Sequence, residues 1–371
     1  MLLKEKTVKS PETDPELEAI KKKKKAKHRK VMRVVDRIFG FFLATGIVFG
    51  CAGLALEYVL VKGPSPALKN TFIMTMQETR RFNFISNIFL SQEEVDEIVD
   101  ANKGEELEDF DSSLIKIASQ QSEEGGNLNP DGSDEYGLVD EDGDGIITLD
   151  IKGNGYVGYM IVVLDPSRVI CGKPDSYGGV GLTLEEMVNK YDAIGGINAG
   201  GFLDYGGSGL GGVPQGITII DGVCYQEHSH GQSFVGFDSS NILHIGEKDY
   251  HEITDLELRD AASFGPILVM NGEIASGKFV NSGLNPRTAI GQRADGAVLM
   301  LAIDGRQTHS LGATYGDVAE IMLSYGAVNA INLDGGSSTC MYLDGEYVNK
   351  CSAAGGRPRP LPTAFLIRGE G

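Results

Sequence analysis

The chain has 371 residues, 41% apolar and 23% charged, which is enough apolar material for a substantial core and too ordinary a charge content for a disordered chain. Its formal net charge is −19, and its 50 glycines follow no period of three, so collagen is excluded and many tight turns are expected. Five cysteines exclude a disulfide-stapled mini-scaffold, and no CxxC pair points to zinc.

Charge changes sign along the chain. Residues 1–37 hold 13 Lys/Arg against 6 Asp/Glu, whereas residues 62–371 hold 20 against 45. An acidic body argues against nucleic acid as a partner, because phosphate backbones demand positive surface. Ile38 to Leu56 carries no charge, and the apolar stretch reaches 24 residues at Val61 with Glu57 as its one charged side chain. About 20 apolar residues span a bilayer as a helix. Ten Lys/Arg lie within residues 21–37, and the positive-inside rule keeps that flank cytoplasmic. A cleaved signal peptide has a shorter apolar region. The sequence therefore predicts a single-pass cell-membrane protein: a basic cytoplasmic segment at 1–37, a transmembrane helix at 38–61 and an extracytoplasmic remainder. The run Lys21 to Lys25 reads as a topology determinant attracted to anionic lipid.

Residues 62–145 read as a linker or stalk with one short helix. Gly63-Pro64-Ser65-Pro66 breaks the preceding helix, and Ser91 to Glu94 forms a capping box before Val95, Ile98 and Val99. Residues 102–135 are polar with little core material. Asp140, Asp142, Asp144 and Gly145 match positions 1, 3, 5 and 6 of an EF-hand loop, but Ile151 stands at position 12, where a bidentate Glu is required. No metal is expected there. His228 and His230 read as loop histidines.

From residue 146 to 371 strands dominate. Tyr156 to Leu164 and Ala297 to Ile303 are buried strand candidates. Three apolar runs end in Asp221-Gly222, Asn271-Gly272 and Asp344-Gly345, each a hairpin signature because both turn residues need positive φ. Thr183 to Glu186 opens a helix through Met187 and Tyr191, and Thr314 caps a second over Val318 to Tyr325. The expected class is α+β, with a mixed, largely antiparallel sheet and a few packed helices.

Four stretches carry candidate chemistry. The first delivers Asp334 to the end of an apolar strand, followed by Gly335, Gly336, Ser337, Ser338 and Thr339; such a turn presents backbone N–H groups to an anion. In the second, Asn198 ends an apolar strand ahead of Gly201 and Phe202, and Gly206 to Gly212 form a loop. In the third, Pro286 fixes the chain before Arg287, whose guanidinium fork suits phosphate or carboxylate. The fourth, Asp304-Gly305-Arg306, places another carboxylate at a strand end. Neither a P-loop nor GxGxxG is present, and a serine triad lacks GxSxG. Cys340 and Cys351 flank the Asp344-Gly345 turn but are not directly opposite, so their pairing, like that of Cys171 with Cys224, stays open.

Taken together, Gly196-Ile-Asn198-Ala-Gly-Gly-Phe202, Phe264-Gly-Pro266, Asn285-Pro-Arg287-Thr-Ala-Ile-Gly291, Asn332-Leu-Asp334-Gly-Gly-Ser-Ser-Thr339 and Arg357-Pro358 with Pro362-Thr-Ala364 resemble the phosphodiester glycosidase family over about residues 150–371. The resemblance implies a hydrolase acting on a sugar-1-phosphodiester of cell-surface or exported glycan, without a cofactor. Asp334 and Asp304 are then the candidate catalytic carboxylates. Asn198, Gly201, Phe202, Arg287, Gly335, Gly336, Ser337, Ser338 and Thr339 are the candidate substrate-binding residues. A non-catalytic envelope or exopolysaccharide-binding module using the same cleft is the competing expectation.

Overall fold

The computed structural model describes residues 15–79, 83–101, 109–117, 133–134, 136–204, 209–227, 232–275 and 282–369. His228, His230, the start of the 206–212 glycine loop and most of the polar stretch 102–135 lie outside the described residues. The chain divides into two units, 1–63 and 64–371.

Among the described residues, the first unit holds one helix, α1 (Pro15–Lys62), of 48 residues. At 1.5 Å per residue it is about 72 Å long. Its part from Lys22 to Lys62 is long and apolar enough to cross a membrane by length and composition. The helix ends at the expected Gly63-Pro64 break.

The second unit runs α2 (Pro66–Glu78), α3 (Gln92–Ala101), β1 (Ile146–Gly153), β2 (Tyr156–Val163), β3 (Val169–Gly172), α4 (Leu184–Lys190), β4 (Ala193–Asn198), β5 (Thr218–Ile220), β6 (Val223–Gln226), β7 (Ser233–Phe237), β8 (Leu243–Glu247), α5 (Tyr250–Thr254), β9 (Asp260–Ser263), β10 (Ile267–Met270), β11 (Glu273–Ile274), β12 (Arg287–Arg293), β13 (Val298–Ile303), α6 (Tyr315–Ser324), β14 (Ala327–Leu333), β15 (Met341–Leu343), β16 (Glu346–Tyr347) and β17 (Ala364–Arg368). The caps read from sequence form: Ser91 and Glu94 exchange bonds at α3, Thr183 and Glu186 at α4, and Thr314 with Asp317 at α6. All three hairpin turns adopt positive φ at both residues, as at Asp221 (49°) and Gly222 (73°).

Among the described residues the strands make three sheets where one was expected. Their orders are β1-β2-β13-β12-β14-β10-β11, β16-β15-β4-β17-β3 and β6-β5-β9-β7-β8. Every ladder is antiparallel. The largest core lies among the three sheets. Strand β13 explains why a continuous apolar run was needed there. Val298, Met300 and Ala302 point into the shared core, while Leu299, Leu301 and Ile303 point to the opposite face, which α6 covers with Val318, Ala319 and Met322. Helix α4 covers the second sheet with Leu184, Met187 and Val188, and Ile253 of α5 packs on the third.

Lys116 N donates to Ala294 O at 2.7 Å, Lys248 Nζ meets Asp109 at 2.8 Å, and Arg293 meets Asp134 at 2.7 Å. The described parts of 64–145 thus make backbone and ion-pair contacts with the strands and loops of the second unit. After Gly145 the chain enters strand β1 instead of an EF-hand helix. The Asp140, Asp142 and Asp144 carboxylates stand within 4.8 Å of one another, bonded to the backbone of their own turn.

Candidate functional site

The ends of β4, β9, β13 and β14 meet the starts of β10, β12 and β15 at one place. Two buried asparagines brace it. Asn198 Nδ2 donates to Asp334 O at 2.6 Å, and its Oδ1 accepts from Thr288 Oγ1 at 2.8 Å and from Cys340 N at 3.0 Å. Asn332 Nδ2 donates to Gly265 O at 2.8 Å, which ties β14 to the cis Gly265–Pro266 segment. Asp334 N donates to Ala199 O at 3.0 Å. The apolar strand β14 therefore delivers Asp334, partly exposed, onto a backbone frame that it does not itself bury. Asn198 is fully buried, with its amide bonded to the turn and to the strands around it.

Gly335 and Gly336 follow. Gly336 N donates to Pro286 O at 2.9 Å, and Gly336 sits at φ 61°, a conformation that L side chains rarely adopt. A Cβ there would stand 3.1 Å from Arg306 Nη1. On the other flank, Arg359 Nη1 donates to Ser337 Oγ at 3.0 Å, and its guanidinium lies over the Phe202 ring at 4.7 Å. Two guanidinium groups thus flank the glycine turn. Arg359 is paired with Asp204 at 2.8 Å. Arg306 is bonded to neutral acceptors, Asn285 Oδ1 at 2.7 Å and Thr79 Oγ1 at 3.1 Å. Desolvation of its guanidinium by neighbouring groups and the charge of Arg287 hold its pKa below the usual arginine value, although much of the residue is solvent-exposed. Ser338 and Thr339 are buried, and Gly201 lines a cleft described below.

Arg287 is buried and ion-paired. Its Nη2 meets Glu78 Oε2 at 2.6 Å and Gly283 O at 2.6 Å, its Nε donates to Ala313 O at 3.1 Å, and it stacks on Tyr315 at 3.8 Å. Burial works against the charge, but Tyr315 and Glu78 more than offset it, so its pKa rises above the usual value. The guanidinium fork is taken up by a carboxylate of α2 and two carbonyls, so it is a bracing group for the 283–287 segment. Burial pushes the Tyr315 hydroxyl pKa up, and Glu78 and Asp334 push it the same way.

Asp304 is likewise enclosed. It is 1% exposed; Asn349 Nδ2 and Lys350 N bond to Oδ1 at 3.2 and 2.9 Å, and His309 Nε2 contacts Oδ2 at 2.8 Å. With both carboxylate oxygens engaged, it ties the end of β13 to the 349–350 segment. Asn349 in turn contacts Thr339 O at 3.4 Å, so Asp304 supports the turn at one remove. Cys340 and Cys351 are free thiols, as are Cys171 and Cys224. Burial pushes Cys351 up to about 11 and Cys340 well above the usual thiol value.

Sequence reasoning passed over Arg306, Arg359 and Glu78. Arg306 follows the Asp304-Gly305 turn that sequence singles out, and Arg359 follows Arg357-Pro358; both lay in view. Glu78 comes from a helix 209 residues away in sequence from Arg287, and nothing local announces it.

Comparison with known proteins bears on this geometry. Residues 191–368 match the family model described as phosphodiester glycosidase. Over 181 residues, 46% of this chain, the protein is 31% identical to an uncharacterized SPbeta prophage-derived protein of Bacillus subtilis (strain 168), covering 27% of it. Over 68 residues, 18% of this chain, it is 43% identical to N-acetylglucosamine-1-phosphodiester alpha-N-acetylglucosaminidase of Bos taurus, covering 12% of it. The matched segments therefore span about a quarter or less of these relatives. Among solved structures, the catalytic domain of the zebrafish N-acetylglucosamine-1-phosphodiester alpha-N-acetylglucosaminidase shares the fold, with TM-score 0.50 and 22% identity over 61% of this chain and 82% of that one. A hypothetical protein from Synechocystis does so with TM-score 0.50 and 13% identity, over 61% of this chain and 62% of that one.

Proposed function

We propose that the chain, whose residues 191–368 match the phosphodiester glycosidase family model, is a membrane-anchored extracytoplasmic hydrolase that cleaves the C1–O bond of a sugar-1-phosphodiester in surface or exported glycan. The observation that carries the reading is Asp334, held partly exposed by Asn198 and Ala199 beside a glycine turn flanked by Arg306 and Arg359. Cleavage breaks the C1–O bond, and the phosphate leaves with the bonding electrons as a monoester. A water oxygen takes its place on C1, directly or after a covalent step, and the water proton passes to a carboxylate. The transition state is oxocarbenium-like, so it calls for a carboxylate near C1. Asp334 fills that role, as nucleophile or as base for water. The departing negative charge calls for donors that are already in place. Arg306, whose bonds go to neutral acceptors, and the backbone N–H groups of Gly335 and Ser337 supply them. Asp304, Asn198 and Arg287 brace this arrangement.

The anchor rests on α1, which joins ten basic residues to an apolar stretch, with the acidic body beyond it. The reaction is tested by hydrolysis in ¹⁸O-labelled water. A glycosidase puts the label on the sugar hydroxyl. Label on phosphate would mean attack at phosphorus, and the assignment would fall.

A further inference from the structure

A cleft of about 220 Å³ lies beside the glycine turn, lined by Gly201, Gln215, Gln232, Ser233, Ser263 and Phe264 with Gly265. None of these side chains carries a formal charge. The volume is below the roughly 300–1,000 Å³ of clefts for drug-sized ligands, which suits one small ring.

One atom sets its chemistry. Gln232 Oε1 is buried and has no hydrogen-bond partner. An amide oxygen only accepts, and a buried acceptor left unmet is destabilising. The atom therefore calls for an O–H or N–H from whatever enters. The serine hydroxyls of the wall are engaged: Ser233 Oγ donates to Glu247 Oε1 at 3.0 Å, and Ser263 Oγ accepts from Ile217 N at 2.8 Å. Two glycines keep the site open. A Cβ on Gly201 would stand 2.9 Å from the Phe264 ring, and one on Gly216, at φ 75°, would stand 2.8 Å from Gln232 Oε1. A flat apolar ring beside uncharged hydrogen-bonding groups matches the C–H face and the hydroxyl or acetamido rim of a pyranose.

The cleft and the glycine turn share a frame. Gly201 N donates to Ser263 O at 3.2 Å, and Ala199, two residues earlier, accepts from Asp334 N at 3.0 Å. Gly265 O accepts from Asn332, two residues before Asp334. We propose that this cleft is the subsite for an uncharged sugar ring, with Gln232 accepting one hydroxyl or amide proton and Phe264 forming the apolar floor. The inference deepens the glycosidase reading and rests on it for the sugar's attachment to phosphate.

The test uses the full chain in detergent micelles and saturation-transfer NMR with methyl α-glucoside, N-acetylglucosamine and inorganic phosphate as probes. At least one sugar should bind the wild type, lose about tenfold in affinity with Gln232→Leu and keep most of it with Gln232→Glu, which retains an acceptor. Phosphate binding should be indifferent to both changes. On the wild type alone, one monodeoxy analogue of the bound sugar should lose a similar factor, so the idea stays testable if a variant does not fold. No sugar binding by the wild type, or equal binding by wild type and Gln232→Leu, overturns the subsite. Turnover of sugar-1-phosphodiesters is scored separately. Turnover whose KM ignores Gln232 removes the subsite and keeps the glycosidase; Gln232-dependent sugar binding without turnover keeps the subsite and removes the hydrolase.

Discussion

Removing Glu78 should destabilise the second unit more than any exposed carboxylate would. The Arg287 side chain is 4% exposed and that of Glu78 18%. Glu78→Ala strips the counter-charge from a buried guanidinium and also leaves Asn285 Nδ2 and Gly283 N without their acceptors. Breaking a buried ion pair from one side costs about 3–5 kcal/mol. Two carbonyls and the Tyr315 ring still face Arg287, so the lower end, about 3 kcal/mol, is expected. At roughly 2–4 °C per kcal/mol for large domains, the midpoint should fall by about 6–12 °C. The chain has no tryptophan, so far-UV circular dichroism of residues 64–371 during urea and thermal unfolding is the suitable probe. The double variant Glu78→Ala with Arg287→Met should recover part of the loss, because it removes the stranded charge. A single variant within about 0.5 kcal/mol of wild type, or strictly additive changes in the double variant, would refute the buried-pair argument.

Asp334→Asn should lower turnover by about 10²-fold or more while leaving the melting curve in place, since a neutral amide acts neither as nucleophile nor as base; near wild-type turnover would reduce the residue to a structural one. Arg306→Ala should cost roughly 2–4 kcal/mol of transition-state stabilisation, read from kcat/KM, and Arg306→Lys should restore it only in part; an unchanged kcat/KM would shift the role to Arg359. Partly exposed Cys224 should react with iodoacetamide at pH 8 well before Cys340 and Cys351, whose burial disfavours the thiolate. Because the pKa of Cys351 is pushed up to about 11, its labelling should rise only as pH approaches that value, and equal rates for the three thiols at pH 8, followed by mass spectrometry, would contradict the packing. Protease added to intact cells should digest residues 64–371 and spare 1–37; a protected C-terminal unit would reverse the proposed topology.

The sequence by itself determined whatever is decided within a few residues. The Asp-Gly and Asn-Gly turns fixed three hairpins, because only a few residue types tolerate two successive positive φ angles. Capping boxes located α3, α4 and α6, and the unbroken apolar runs located β2 and β13, whose two faces are both covered. Motif order also led to the family and to the Asp334 turn. Tertiary structure alone decided which strands share a sheet, because an apolar run buried on both faces fits any central position equally well. It also decided how the candidate polar groups are held. Arg287, Asp304 and Asn198 look as reactive in sequence as Asp334. A carboxylate from α2, the 349–350 backbone and the carbonyl of the glycine turn hold those three in buried positions, where an unpaired charge or amide is too costly to leave, whereas Asp334 stays partly exposed.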